Sequence, residues 1–314
     1  MSAYGYNKTV NILPIIQDPA FMQQARLAID DFAKEVGEIT YIEHGADNVV
    51  ALVNREYVFR FPRNPDAAKH LYFETAVLQK VAKRLTAAQV PELIQVHTQP
   101  FYSVAKYIEG EHLTDKEIQS LTEAQQIGLG RTIATFITQL NSAISGQEIS
   151  RLRTEARLDG VEEPWEAYFK RLFVDETLPN ERLGPVINEH YVLWKDYIRH
   201  EQRIHAIHDD LHPANLLFLN SQLNGIVDFG DTNTGSIEEE MRWLYMMGDT
   251  VLKTAIEHYQ GLTGSQVNYE HVRVWAIMHE LSAYTSRLKK QQTESFPFLR
   301  SQEHLRAWLP GFPL

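Results

Sequence analysis

The residues best suited to chemistry lie in His208-Asp209-Asp210-Leu211-His212-Pro213-Ala214-Asn215 and, downstream, in Asp228-Phe229-Gly230. Asp210, Asn215 and Asp228 follow one another at intervals of five and thirteen residues. A carboxylate, an amide and a second carboxylate in that order suit phosphoryl transfer to a hydroxyl. That reaction asks a protein for an aligned hydroxyl and for positive charge on the phosphate oxygens, and for little covalent help. Asp210 is the candidate to orient the hydroxyl and take its proton. Asn215 offers a neutral oxygen that does not overload a metal site with negative charge, and Asp228 offers a hard carboxylate, so these two are the candidate Mg2+ ligands. Gly230 permits a sharp turn directly after them.

Rival readings of the same stretch are weaker. A lone Asp210 would read as a turn or helix-cap carboxylate, but Asn215 and Asp228 at their offsets favour catalysis. Asp209 reads as a solvent-facing loop residue. His205, His208 and His212 are spaced by three and four, which on a helix would suit zinc. Pro213 and the β-type run 204–207 oppose a helix there, so His208 is expected to brace the loop by hydrogen bonding.

The elements that must carry these residues follow from apolar periodicity. Residues 21–36 and 67–85 have helical spacing. Residues 39–42, 49–53, 57–61 and 101–105 read as strands, the second and third joined by a tight turn at Asn54-Arg55. Beyond residue 110 the pattern becomes mainly helical, over 118–140, 164–173, 186–200, 238–259 and 272–288. Short strands are expected at 204–207, 216–219 and 225–228. The fold class is therefore α+β, with a small β-rich lobe over 1–105, a hinge at 106–110 and a larger helical lobe over 111–314.

The small lobe should hold nucleotide phosphates. Arg60 alternates with Phe59 and Phe61 along a strand and so points to the opposite face. Glu74, fourteen residues on in a helix, can fix that guanidinium against α/β-phosphate oxygens. Arg63 is a competing cation. Gly45-Ala46-Asp47-Asn48 can arch over phosphates through backbone N–H groups or serve as an ordinary hairpin turn. In the hinge, Ala105 and Tyr107 are placed to offer backbone groups to a purine.

Composition narrows the function. The chain has 314 residues, 44% of them hydrophobic, enough for a sizeable core. With no cysteine there is no disulfide and no cysteine nucleophile. No apolar run reaches the roughly eighteen residues of a membrane helix, and the first eleven residues lack a signal-peptide pattern. Cytoplasm, where nucleoside triphosphates are supplied, is the expected location. A formal charge of −11 without a basic patch argues against nucleic acid and is compatible with steering of a cationic small molecule.

Residues 39–259 resemble the aminoglycoside phosphotransferase family, which shares the fold of choline kinases and protein kinases. The resemblance is carried by Tyr57-Val58-Phe59-Arg60-Phe61-Pro62-Arg63, by Glu74 with Leu78, and by Tyr107-Ile108-Glu109-Gly110. The 208–215 segment and Gly225-Ile226-Val227-Asp228-Phe229-Gly230-Asp231 complete it. The small-lobe wording is most similar to the branch that phosphorylates the 2″-hydroxyl of aminoglycosides. The resemblance implies a bilobal protein-kinase-like fold, Mg2+, ATP or GTP as donor, and an aminoglycoside or related amino-sugar as acceptor. It implies nothing firmer than a monomer or weak dimer.

Three departures stand out. Arg60 replaces the family's strand lysine. Gly235-Ser236-Ile237 stands where Gly-Asp-Pro is common, and Glu240 stands in place of a later Asp. Asp231, Glu238 and Glu239 are the candidate acceptor carboxylates, although glutamates in a helix's first turn are favoured by the macrodipole anyway. Trp243 reads as core. Another metabolite alcohol as acceptor, or a nucleotide-binding regulator without turnover, are the alternatives. Protein-kinase activity ranks below them, because no segment like Ala-Pro-Glu follows Gly230 and little room is left for an activation loop.

Overall fold

In the computed structural model of the chain, residues 18–42, 47–158 and 163–313 are described. The small lobe opens with helix α1 (Pro19–Phe32), whose first N–H groups are capped by the Asp18 carboxylate. Strands β1 (Ile39–Ile42), β2 (Asn48–Val53) and β3 (Tyr57–Pro62) follow, then helix α2 (Pro65–Val81) and strands β4 (Leu93–Thr98) and β5 (Phe101–Lys106). The five strands form one antiparallel sheet in the order β1-β2-β3-β5-β4. Asn54 and Arg55 both take positive φ, 55° and 54°, the geometry that suits a two-residue hairpin turn. One face of the sheet buries Val49, Ala51, Phe59 and Phe61 against Ala25 and Ile29 of α1. The strand period of two then sends Arg60 to the other face, towards α2.

The larger lobe begins with α3 (Asp115–Gln119), α4 (Glu123–Ala143), α5 (Gly146–Glu155), α6 (Trp165–Lys170) and α7 (Leu183–Ile198). Four short strands come next: β6 (His205–Ile207), β7 (Leu216–Leu219), β8 (Gln222–Ile226) and β9 (Asn233–Gly235). They make two antiparallel pairs, β6 with β9 and β7 with β8. Helices α8 (Ile237–Met246), α9 (Asp249–Thr263), α10 (Tyr269–Lys289) and α11 (Phe296–Trp308) close the lobe. The chain is thus α+β and bilobal. Among the described residues, no helix is long and apolar enough to cross a membrane.

Several expected elements are corrected. The helix expected over 118–140 is two helices, because Thr114 with Glu117 and Thr122 with Gln125 each build a capping box that starts a new one. The helix expected over 238–259 breaks at Gly248, whose φ of 107° no right-handed helix accommodates. The strand expected over 225–228 ends at Ile226, and Asp228 turns away with φ 67°. Strands β4 and β9 and helices α5 and α11 were not anticipated. β9 is too short and polar to show a period, and exists because it pairs with β6. Of the turn at 45–48, residues 45 and 46 lie outside the described residues, and Asn48 begins β2.

The two lobes meet at a tightly packed crossing. Glu111 and Phe218 exchange backbone hydrogen bonds of 2.9 and 2.8 Å, which fastens the chain leaving β5 onto the β7–β8 hairpin. Glycine at 225 makes the approach possible, since a Cβ there would lie 2.6 Å from Ile108 Cγ2.

Helix α11 is fastened by a buried imidazole. His304 Nε2 lies 2.6 Å from Asp115 on α3, and Nδ1 lies 3.2 Å from Glu280 on α10. Burial alone would lower the His304 pKa, but the two carboxylates outweigh it and raise it to about 9. The folded value exceeds the unfolded value of 6.5, so the imidazolium contributes fully below that pH and its contribution is lost as pH rises through about 9. Thermal unfolding scanned across that window should show a fall in stability that His304→Gln abolishes. Superimposable curves for the two proteins would disprove the assignment.

Candidate active site

The loop after β6 carries Asp210, and the buried end of helix α8 sets its shape. Glu240, fully buried, accepts the N–H of His208 on one carboxylate oxygen and the N–H of Asp209 on the other, both at 2.8 Å. Burial raises the Glu240 carboxyl to about 8 against the pull of those two donors. Asp209 adopts a left-handed φ of 67°, the region glycine favours, and is held there from three sides. Its carbonyl accepts from Arg242 Nη2 at 2.7 Å and from Trp243 Nε1 at 2.8 Å, and its carboxylate pairs with the same guanidinium at 2.7 Å. The expectation of a solvent-facing Asp209 is therefore corrected: the side chain is mostly buried because Arg242, itself buried, needs an anion.

This arrangement delivers Asp210 with one oxygen anchored. Asn215 Nδ2 donates to the Asp210 carbonyl at 2.8 Å and to Oδ2 at 2.9 Å, and His212 Nε2 stands 3.4 Å from Oδ2. Oδ1 is buried and accepts no hydrogen bond. Burial would raise this carboxyl, but His212, His208 and Arg242 hold it down at about 2, so it is an anion at neutral pH. His208 is itself driven towards the neutral form by burial, which leaves Arg242 as the permanent cation of the set. His208 also braces the next segment, through Nε2 to the Val227 carbonyl at 3.2 Å.

Across the cleft, Arg60 and Glu74 form a direct ion pair through Nη1 and Oε1. Arg60 Nη2 also reaches Asp228 Oδ1 at 3.2 Å, a pairing the sequence reading did not contain. Glu74 additionally accepts from the Phe229 N–H at 3.4 Å. Burial pushes the Glu74 carboxyl up to about 7 while Arg60 pulls it down; burial likewise works against the guanidinium, but Glu74 and Asp228 keep Arg60 charged. With its other amide atom donating to Asp210, Asn215 retains Oδ1, and Asp228 is half-exposed. Two hard oxygens fit Mg2+, which takes its remaining ligands from water and phosphate. Among the described residues there is no group of three or more His, Asp or Glu able to hold a metal alone.

Other expected residues need correction. Tyr107 donates its N–H to the Glu56 carbonyl at 2.8 Å, so only its carbonyl and side chain remain for a base. Ala105 is paired into the sheet opposite Val58. Glu239 is buried and ion-paired to Arg203 at 2.8 Å, which removes it from any acceptor surface. Glu238 accepts the Asn268 N–H at 3.3 Å at the start of α10, and Asp231 has a partner of its own. Trp243 is core, as expected. The positioning groups Glu240 and Arg242 were missed as such. The signal available for Glu240 was its place where relatives carry an Asp; Arg242 gave none.

Glu240→Ala should therefore leave two buried N–H groups without acceptors, at about 1–3 kcal/mol each, and loosen Asp210. Denaturant unfolding and turnover are both expected to fall. Unchanged turnover in a destabilised variant would show that Glu240 supports the fold but not the loop.

A family model described as the phosphotransferase enzyme family matches residues 38–275. Among solved structures, the GDP complex of wild-type aminoglycoside 2'-phosphotransferase-IIIa is similar at a TM-score of 0.71 and 18% identity, covering 91% of this chain and 97% of that one. A streptomycin–ATP complex of APH(2")-IIa gives 0.61 and 19%, covering 88% and 95%. A macrolide 2'-phosphotransferase from Brachybacterium faecium gives 0.62 and 16%, covering 93% and 99%. At these identities the structural likeness shows the fold, while the family match spans the small-lobe sheet, the Asp210 loop and the Asp228 turn. The chain belongs to the phosphotransferase enzyme family and has a kinase-like, bilobal fold.

Proposed function

We propose that this enzyme moves the γ-phosphoryl group of ATP or GTP to a hydroxyl of a small molecule in the presence of Mg2+. The observation that carries the reading is Asp210: an anion with Oδ2 anchored by Asn215 and Oδ1 buried without a hydrogen-bond partner. A substrate hydroxyl donating to Oδ1 would be aligned for in-line attack and would lose its proton there as the P–O bond forms. Arg60, steadied by Glu74, supplies a cation at the phosphates. Asn215 and Asp228 would hold Mg2+, which neutralises charge on the transferring group. On this reading residues 1–105 carry the nucleotide, 106–110 form the hinge and 111–314 carry the acceptor.

The relatives named above are called aminoglycoside and macrolide phosphotransferases, and an aminoglycoside acceptor for this chain draws on that likeness. Of the three candidate acceptor carboxylates, Glu239 is buried and paired with Arg203, while Asp231 and Glu238 are part-exposed. The test is consumption of ATP or GTP by the purified protein with Mg2+ against a panel of alcohols, with the phosphorylated product identified by mass spectrometry. Acceptor-stimulated turnover that EDTA abolishes is the expected result. Absence of Mg2+-nucleotide binding would sink the proposal.

A further inference from the structure

The face of the small-lobe sheet that carries Arg60 holds a second polar side chain, Asn48. Strand β2 pairs with β3 so that Val50 stands opposite Arg60 and Asn48 opposite Pro62. Side chains two apart on a strand share a face, so Asn48 is the diagonal neighbour of Arg60, with Cβ atoms about 7–8 Å apart. Val49 and Ala51 point the other way, into the core against α1. Tyr57, at the far end of β3, pairs with Lys106 at the hinge. Asn48 therefore lies at the end of the sheet away from the hinge.

Asn48 is 6% exposed, and its Oδ1 has no hydrogen-bond partner among the described residues. Two more buried atoms on the elements around the Arg60–Glu74 pair share that state. One is Arg60 Nε; the other is Nδ1 of His70, which lies one turn before Glu74 on the same face of α2. Arg60 commits Nη1 to Glu74 and Nη2 to Asp228, and keeps its Nε–H group. A buried amide oxygen without a partner lowers stability, and an apolar side chain of similar size would remove that cost. The fold itself gains nothing from this oxygen, whereas a ligand arriving beside Arg60 gains a polar contact.

The amide can turn about its last torsion to present either Oδ1 or Nδ2. The guanidinium beside it favours an anion, to which Nδ2 donates. A phosphate group offers several acceptor oxygens, enough to receive both the Arg60 Nε–H and the Asn48 amide. Resting on the phosphotransferase reading above, we propose that Asn48 is a phosphate-binding residue, whose amide and the Arg60 Nε–H group hold neighbouring oxygens of the nucleotide's phosphate chain. Its distance from the hinge confines it to the phosphates and leaves the base untouched.

The experiment titrates wild type, Asn48→Leu and Asn48→Asp by calorimetry with ATP, GTP, ADP and GDP in the presence of Mg2+, and with adenosine and guanosine. The melting profile of each protein is taken without nucleotide. Asn48→Leu is expected to bind the nucleotides at least about tenfold more weakly, to bind the nucleosides as the parent does, and to melt at or above the parent's temperature. Asn48→Asp keeps the shape but turns an anion towards the phosphates, and should lose more. Unchanged nucleotide affinity in both variants overturns the proposal. So does an equal loss for the nucleosides, or a lower melting temperature for Asn48→Leu, because the amide would then serve the base pocket or the fold. A wild-type protein that binds no nucleotide would instead sink the phosphotransferase reading, and this proposal with it.

Discussion

Asp210→Asn is expected to lower acceptor-stimulated turnover by roughly a hundred- to ten-thousand-fold, the range in which a positioned proton acceptor contributes. The substitution keeps the shape that Asn215 grips through Nδ2, so the loop should survive and nucleotide should still bind. What disappears is the anion, which His212, His208 and Arg242 keep ionised, and with it the place for the hydroxyl's proton. Two measurements separate the outcomes: kcat with saturating acceptor, and nucleotide affinity by calorimetric titration. A variant that turns over normally would remove Asp210 from the mechanism. A variant that loses nucleotide binding as well would point to a collapsed loop, and should then also show a lowered melting temperature.

Arg60→Ala should act on stability and nucleotide binding together. Glu74 is almost wholly buried, and Arg60 is its only ion-pair partner among the described residues. Removing the cation leaves a buried carboxylate uncompensated, a situation that costs about 3–5 kcal/mol. The Asp228 contact is lost in the same step, so the Asp228 turn is freed from the small lobe. Arg60→Lys retains the charge but not the planar fork that reaches Glu74 and Asp228 from two nitrogens, and it should recover part of the stability. Equilibrium unfolding in denaturant would measure the loss, and Mg2+-nucleotide titration the affinity. A loss confined to affinity, with stability intact, would mean that Glu74 finds another partner or stays protonated, as its burial favours.

The two predictions differ in how readily their residues could be found. Asp210 and Asn215 lie close along the chain, on a loop whose shape local residues largely set, so spacing alone brought them together. Arg60 and Glu74 required a strand period and a helix fourteen residues on, and both were present in the pattern. Arg60 also pairs with Asp228, 168 residues away, and nothing local to either residue indicates the other. The same holds for His304 and Asp115, 189 residues apart. Each reads by itself as an ordinary polar side chain, and only their shared burial makes the pair a fastening.

The helix starts show the opposite limit. Apolar spacing runs through 118–140 without a break, and the capping box at Thr122 that divides it is decided by two side-chain hydrogen bonds that a hydrophobic period does not register. Gly248 likewise ends α8 by its backbone geometry rather than by polarity.

The sequence by itself determined the two-lobed α+β plan, the grouping of Asp210 with Asn215, and the Arg60–Glu74 pair, because these depend on composition, period and short spacing. The tertiary structure alone decided which charges are available for a substrate. Asp209, Glu238, Glu239 and Glu240 form an acidic cluster in the sequence. In the fold, burial commits Asp209 and Glu239 to guanidinium groups and Glu240 to backbone N–H groups, because a desolvated carboxylate must be paired where it stands.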